Sequence, residues 1–206
     1  DSGGHEAYYT VPLSRGISAS HAGLQVDNCE ILGWNHAGIR LVAGATDAHI
    51  HHNSIHHCQR YGLGYGICLD RATAIIEANE FDWCRHAIAC TGNPGSAYVA
   101  RYNLVRSHGN GHSFDMHGGA DRKDGTDIAG EYLHIHHNTF EHLEHPAIII
   151  RGKPSRISRI HNNRFCHPTR ERAIIQSNAT GNLKIFDNEY TSPAETATHV
   201  NTENEE

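Results

Sequence analysis

Six segments repeat one pattern along the chain: IHHNSI (50–55), IEANEF (76–81), ARYNLV (100–105), IHHNTF (135–140), IHNNRF (160–165) and IFDNEY (185–190). Each has an asparagine in its fourth position, and with Asn28 the seven asparagines are separated by 25, 26, 24, 35, 25 and 25 residues. The first repeat, VDNCEI (26–31), is out of step with the others by one residue. Such a period indicates a solenoid, a propeller or an array. The segments are short, alternate in hydrophobicity and contain Ile, Val and Phe, which is typical of strands. We therefore predict an all-β fold, a right-handed single-stranded parallel β-helix of about seven coils.

The repeat also predicts which residues face the core. We place the asparagines at a corner, because asparagine tolerates the left-handed backbone region and its amide can bond the asparagine of the next coil. Strand alternation then points the residues three before and two after each asparagine inward. The first set is Ile50, Ile76, Ala100, Ile135, Ile160 and Ile185, and the second is Ile55, Phe81, Val105, Phe140, Phe165 and Tyr190.

We interpret residues 1–206 as one domain, with residues 1–20 as a cap or an irregular first coil and 194–206 as an acidic tail. The fourth coil is longer than the others, and we assign its extra residues to an inserted loop at 118–130. Cys58 and Cys84 both lie five residues after their asparagine, which favours a buried column of thiols over a disulfide.

Charge and hydrophobicity limit the classes of partner that we expect for the protein. The formal net charge of −6 argues against nucleic acid as the main partner, although twenty histidines can add positive charge in acid. The chain lacks a run of 18 apolar residues, so we expect no membrane span. We expect a secreted, extracellular or periplasmic protein, and the sequence leaves the oligomeric state open.

A second strand in each coil carries polar residues on its outer side. With Ile39/Leu41, Ile67/Leu69, Ile88/Cys90, Phe114/Met116, Ile148/Ile150 and Ile174/Gln176 inward, two columns must face outward. One column is Arg40, Cys68, Ala89, Asp115, Ile149 and Ile175, and the other is Val42, Asp70, Thr91, His117, Arg151 and Ser177. The preceding turns add His36, Tyr65, Arg85, His86, His112 and His145. We predict a solvent-facing functional strip here, against the alternative of structural ion pairs.

The strip suits removal of a proton next to a sugar carboxylate. His117 or His112 is the predicted base and Asp115 orients it, while Arg151, with Arg85 or Arg40, neutralises the carboxylate. Tyr65 is a candidate acid. We assign substrate binding to Arg40, Asp70, His86, Arg122 and Lys123.

The segment HSFDMHG (112–118) resembles the GFDPH-type strand of mannuronan C5-epimerases and the related alginate lyases. Phe114, Asp115 and His117 match the Phe, Asp and His of that strand; Met116 replaces its proline, and His112 stands where that family has a catalytic tyrosine. The resemblance implies a catalytic Asp and His at these positions. It also implies a right-handed β-helix that acts on an acidic polysaccharide as a lyase or an epimerase.

Three alternatives stay open. A β-helix glycoside hydrolase would use a carboxylate pair such as Asp70 and Asp115. A non-catalytic rod, such as an adhesin or a tailspike segment, would bind carbohydrate without turnover. We predict no required cofactor and assign no metal site; histidine strings at 49–57 and 134–138 could hold a transition metal, and Asp121, Asp124 and Asp127 could hold Ca²⁺.

Overall fold

The structure, a computed structural model, describes residues 10–191 as a parallel β-helix of seven coils with three strands per coil. Sheet A contains β1 (Arg15–Ala19), β4 (Ala37–Leu41), β7 (Tyr65–Leu69), β10 (His86–Cys90), β13 (Phe114–Met116), β16 (Ile148–Ile150) and β19 (Ile174–Gln176). Sheet B contains β2 (Gln25–Asp27), β5 (Ala48–His51), β8 (Thr73–Glu77), β11 (Ala97–Arg101), β14 (Tyr132–His136), β17 (Ser158–His161) and β20 (Leu183–Phe186). Sheet C contains β3 (Glu30–Leu32), β6 (Ser54–His56), β9 (Glu80–Asp82), β12 (Leu104–Val105), β15 (Thr139–Phe140), β18 (Arg164–Phe165) and β21 (Glu189–Tyr190).

The predicted inward positions form the core. From Ile50 to Ile160 the column before the ladder is fully buried, and Ile185 in the last coil is partly buried. The aromatic column after the ladder stacks along the axis, with ring centroids 4.9 Å apart for Phe140 and Phe165 and 5.4 Å apart for Phe165 and Tyr190. One strand face is covered by its own coil and its neighbours, so burial alternates along strands such as β8 and β14. β10 and β13 of sheet A differ, because both of their faces are buried.

The asparagine ladder is confirmed from Asn53 to Asn188, with one correction. From Asn79 onward each ladder asparagine accepts a backbone N–H and a side-chain amide N–H from the preceding coil, as Asn79 does from Asn53 at 3.0 and 2.9 Å. Asn28 is not a member: Val26 pairs with Ile50, so Cys29 occupies the ladder position and donates its N–H to Asn53. Asn28 is exposed, which confirms the one-residue offset of the first repeat, VDNCEI.

Of the two predicted reasons for asparagine at the corner, the amide bond to the next coil is confirmed and the left-handed backbone is wrong. The left-handed residue is the one before the ladder asparagine, with φ of 54° at His52, 53° at Ala78 and 57° at Tyr102. The ladder asparagines themselves have ordinary φ values. Their role is to satisfy buried polar groups across coils, as when Asn103 also donates to the carbonyl of Ile76 at 2.9 Å.

The thiol column is confirmed. Cys58 and Cys84 are buried and free, and Cys84 donates to the carbonyl of Ile55 at 3.7 Å. All six cysteines are free.

The structure describes part of the predicted cap at residues 1–20 but not the predicted tail. β1 already pairs in register with β4, so the part of the predicted cap from Arg15 onward belongs to sheet A. The predicted tail at 194–206 lies outside the described residues. None of the helices within residues 10–191 is long and apolar enough to cross a membrane.

The longer coil departs from the others between β13 and β14. Its extra residues include a one-turn helix, Gly119–Arg122, which ends at Lys123 in the left-handed conformation. Arg122 ties this segment to the coils: it donates to the carbonyls of Thr91 and Ile128, both at 3.0 Å, and to Asp124 at 2.8 Å. The insertion is therefore held against the outer face of sheet A.

Candidate functional site

Asp115 is the centre of a polar network on the outer side of sheet A. Its Oδ2 lies 3.2 Å from His112 Nε2, 3.0 Å from His117 Nε2 and 3.1 Å from Arg151 Nη2. His112, Asp115 and His117 surround one strand, β13, and Arg151 follows β16 on the next coil. The register of sheet A therefore brings together four of the predicted catalytic residues.

The expectation that this strip faces solvent was wrong at its centre. Asp115 points away from the core, as predicted, but its side chain is 0% exposed because the two histidines and Arg151 cover it. Burial raises the pKa of Asp115, but the hydrogen bonds and positive charges of His112 and His117 outweigh it and hold the pKa well below its usual value. Asp115 is therefore a buried, ionised carboxylate, and its Oδ1 has no hydrogen-bond partner in the described chain.

His117 is held between two carboxylates. Nε2 faces Asp115, and Nδ1 lies 3.4 Å from Oδ2 of Asp121 in the inserted loop. Asp121 also accepts the N–H of Gly118 at 3.2 Å and lies 3.6 Å from Nη1 of Arg151. The shorter contact favours a proton on Nε2, which leaves the lone pair on Nδ1.

Sequence reasoning considered Asp121 only as a Ca²⁺ ligand and missed this contact with His117. The signal that could have found it is Gly118-Gly119 directly after His117. A Cβ at Gly118 would overlap the carbonyl of Arg151, and one at Gly119 would overlap that of Thr126. The paired glycines allow the chain to turn back over the coil and bring Asp121 to His117.

A cavity of about 320 Å³ lies beside this network, over β4, β7 and β10. His117 lines it, so the cavity gives a ligand access to the one network histidine that is 32% exposed. Four other predicted site residues also line it: Arg40, Tyr65, Asp70 and Arg122.

The two arginines that line the cavity differ in whether their N–H donors are already used. Every N–H of Arg122 faces protein oxygens, since its Nη1 also approaches the carbonyl of His117 at 3.4 Å. In contrast, the Arg40 guanidinium forms no hydrogen bond or ion pair within residues 10–191. Arg40 is therefore the cation of the cavity that has donors available for a ligand.

Asp70 is held as an anion at the cavity wall. It accepts hydrogen bonds from Thr91 at 2.9 Å and Asn93 at 2.8 Å. Burial raises the pKa of Asp70, but these two bonds and the charges of Arg71 and Arg40 bring it below its usual value. A carboxyl group in this state is poorly suited to donate a proton near neutral pH.

The predicted site residues that do not line the cavity are His112, Asp115, Arg151, Arg85, His86 and Lys123. Asp115, His112 and Arg151 bind one another within the network, and Arg85 reaches the carbonyl of Leu63 at 3.4 Å. His86 is only 2% exposed, so its contact with a ligand would require the surrounding chain to move. Lys123 is exposed, beyond the one-turn helix.

An aromatic stack runs along the axis behind the cavity wall. Tyr65 and His86 are stacked at 5.8 Å, and His86 and His112 lie 3.9 Å apart. Burial, followed by the charges of His112 and Arg85, lowers the pKa of His86 to about 3, so it is neutral near pH 7. Burial raises the pKa of Tyr65, which keeps its hydroxyl protonated; that hydroxyl donates to the carbonyl of Gly62 at 2.9 Å.

One group of three side chains has the separation of metal ligands. His86, His112 and Asp115 offer ligand atoms that all lie within 4.8 Å of one another, and this is the one such group among residues 10–191. Arg151 lies 3.1 Å from Asp115 and 3.3 Å from His112, so a guanidinium already supplies positive charge there. The candidate Ca²⁺ ligands do not converge: Asp121 binds His117 and Arg151, while Asp124 accepts from Arg122 and Thr126.

Comparison with known proteins gives the family. The family described as right handed beta helix region matches residues 14–205, which agrees with the seven coils and three parallel sheets. No curated protein and no solved structure matches the chain.

Proposed function

The chain belongs to the right-handed β-helix family, and we propose that it acts on a uronate-containing polysaccharide by removing the proton at C5. The β-helix fold is compatible with both carbohydrate-active and structural roles. The observation that supports catalysis is the buried anion Asp115, which positions His117 at the wall of a cavity that also holds Arg40 and Tyr65. Elimination after proton removal would make the protein a lyase, and return of a proton to the other face would make it an epimerase.

His117 is the proposed base. Asp115 accepts a hydrogen bond from the N–H at Nε2, which fixes the tautomer. Nδ1 is then left unprotonated and can take the C5 proton. Asp121, 3.4 Å from Nδ1, must move away from that atom when the substrate binds, and Asp115 then stabilises the imidazolium that forms. Arg151 balances the Asp115 charge, which keeps this orientation favourable inside a dry site.

Arg40 is the proposed partner of the substrate carboxylate. A C5 proton becomes acidic only when a cation withdraws charge from the adjacent carboxylate, and Arg40 is the cavity cation with free donors. The strands of Arg40 and His117 are three coils apart, or about 14 Å at the usual strand spacing. The long arginine side chain, the imidazole and one sugar ring can bridge that gap. Tyr65, protonated and in the same wall, is the proposed acid.

This assignment requires no metal or other cofactor. Its partner is an acidic polysaccharide, which places the protein where such polymers occur, outside the cell or in a periplasm. The hydrolase alternative is less well supported, because Asp115 is buried and Asp70 is held as an anion. The other carboxyl group in the cavity wall, that of Asp121, already contacts His117 at 3.4 Å and Arg151 at 3.6 Å.

Proton NMR of polyuronates in heavy water tests the proposal. Alginate, pectate, glucuronan and glycosaminoglycans would each be incubated with the protein, and deuterium at C5 or a new vinylic signal is the expected result. His117→Ala and Arg40→Gln should each reduce the rate at least a hundredfold, while His108→Ala, which changes an exposed histidine of another face, should not. Absence of exchange on every polymer, or full activity in His117→Ala, would contradict the proposal.

A further inference from the structure

A second concave site lies on the outer face of sheet B, away from the Asp115 network. It has a volume of about 370 Å³ and is lined by Val99, Tyr132, His134, Arg156, Ile157 and Arg159. These residues come from β11, β14, β17 and the turn before β17. The site therefore depends on the register of three consecutive coils and not on one loop.

Positive charge in this site is weakly compensated. Arg156 is 68% exposed and has Glu131 at 3.7 Å, whereas Arg159 has no carboxylate partner in the described chain. Lys184, the register neighbour of Arg159 on the next coil, also lacks one. The other half of the same face differs, because Glu77 there binds both His49 at 2.7 Å and Arg101 at 2.5 Å.

The site also offers an aromatic and apolar wall. The Arg156 guanidinium lies over the Tyr132 ring at 5.2 Å from its centroid, and the His134 ring is 4.9 Å from that of Tyr132. Ile157 is 41% exposed beside them. The Arg159 guanidinium lies 3.5 Å from Nε2 of His134.

We propose that this site, named here the sheet B site, is a second and non-catalytic binding site for an acidic polysaccharide. Arg156 and Arg159 bind the acid groups, because arginine pairs with carboxylate or sulfate oxygens through two parallel N–H donors. Tyr132, Val99 and Ile157 contact the sugar ring, as apolar walls with a few placed polar groups do in ligand sites generally. Only the choice of an acidic sugar rests on the proposed function; the binding itself needs no turnover.

The arrangement favours a polysaccharide over nucleic acid. The cations form a short strip over about three coils, and the protein as a whole carries a formal charge of −6. A nucleic acid would need a broad basic surface to offset that charge. A single acidic sugar needs only the two arginines and the ring wall, and Lys184 extends the strip by one further coil for a neighbouring sugar.

Calorimetry with a short oligouronide tests the sheet B site. The titrations use the full chain carrying His117→Ala, so that the ligand is not consumed. Two binding events are expected, one in the catalytic cavity and one at the sheet B site. Arg156→Gln with Arg159→Gln should weaken one event at least tenfold, and Arg40→Gln should weaken the other.

The matched control is Arg101→Gln, which removes an arginine from the same face whose charge Glu77 already balances. It should change neither event by more than twofold, and circular dichroism should show that all variants are folded. An unchanged titration in the Arg156/Arg159 double variant would overturn the sheet B site and leave the proposed reaction intact. If the parent protein is inactive on every polyuronate but the double variant loses oligouronide binding, the sheet B site is supported and the proposed reaction is rejected. Tighter binding of single-stranded DNA than of the oligouronide, lost in the same variant, would overturn the choice of polysaccharide.

Discussion

The outer faces of sheets A and B carry similar residues in different surroundings. Each has a carboxylate that joins histidine and arginine across coils: Asp115 with His112, His117 and Arg151, and Glu77 with His49 and Arg101. Asp115 is 0% exposed, and the Glu77 side chain is 19% exposed. The difference arises because His112, His117 and Arg151 together cover Asp115. An outward position on a strand is therefore not always exposed to solvent.

The largest effect should follow from replacing the two carboxylates. Asp115→Asn removes the one fully buried anion that Arg151 and the two histidines face, and we expect it to lower the free energy of unfolding by about 3–5 kcal/mol. Glu77→Gln should cost about 1 kcal/mol or less, because solvent can replace the lost contacts. Urea denaturation of both variants makes the measurement. Equal costs would contradict the contrast between the two faces.

A smaller effect should come from the backbone that supports His117. Gly92 and Gly95 both have positive φ, at 66° and 85°, but a Cβ at Gly92 would overlap the carbonyl oxygen of His117, whereas one at Gly95 would meet nothing. Gly95→Ala should cost about 1–2 kcal/mol for the left-handed backbone alone. Gly92→Ala should cost about 1–3 kcal/mol more through overpacking and should also reduce C5 exchange. Retained activity in Gly92→Ala, with stability matching Gly95→Ala, would show that His117 tolerates displacement.

The loss of stability in acid should also differ between the histidines of sheet A and sheet B. The pKa of His86 is lowered to about 3, so between pH 6.5 and that value the unfolded chain binds a proton that the folded chain does not. Stability should therefore fall as the pH drops, by about 2 kcal/mol from pH 6.5 to pH 5 for this residue. The low pKa of Asp115 acts in a separate window, since its contribution is present above about pH 4 and is lost below it.

His136 on sheet B provides the comparison. Burial, followed by the charges of His161 and His137, lowers its pKa to about 4, but it is only partly buried and solvent screens those charges. Thermal denaturation at pH 6.5 and 5 should show a smaller pH-dependent loss in His86→Gln than in the parent, with His136→Gln closer to the parent. The reverse order would contradict the assignment of the buried neutral histidine to sheet A.

The smallest effect should be the response to salt. Arg101 pairs with Glu77 at a side-chain exposure of 37%, so Arg101→Gln should cost less than about 1 kcal/mol and the cost should shrink at 1 M salt. Arg151 pairs with a fully buried carboxylate, and the cost of Arg151→Gln should change little with salt. Denaturation at low and high salt compares the two variants, and a strong salt dependence for Arg151→Gln would mean that water reaches Asp115.

The sequence allowed the fold and most inward residues to be predicted, because each coil repeats the same burial and errors in one coil are corrected by its neighbours. The first coil departs from the repeat: Cys29 takes the place of the ladder asparagine there, as the one-residue offset of VDNCEI indicated. The columns containing Arg40, Asp115, His117 and Arg151 were also predicted correctly.

The contacts within those columns could not be predicted. The burial of Asp115 depends on rotamers from two coils, and the Asp121 contact depends on how a non-repeating loop folds back. The ion pair between Arg151 and Asp115 depends on the same rotamers. Periodicity assigns a residue to a face, but the partner of a side chain on that face is a tertiary property.

The asparagine ladder passes the long coil without a change. Asn103 and Asn138 are 35 residues apart, yet their bonds of 3.0 and 2.9 Å equal those between Asn53 and Asn79, which are 26 apart. The entropy lost on closing a loop grows only slowly with its length. A turn of this fold can therefore gain or exchange a segment while the stacked coils keep their register. New binding or catalytic residues can then evolve in a loop while the β-helix itself stays the same.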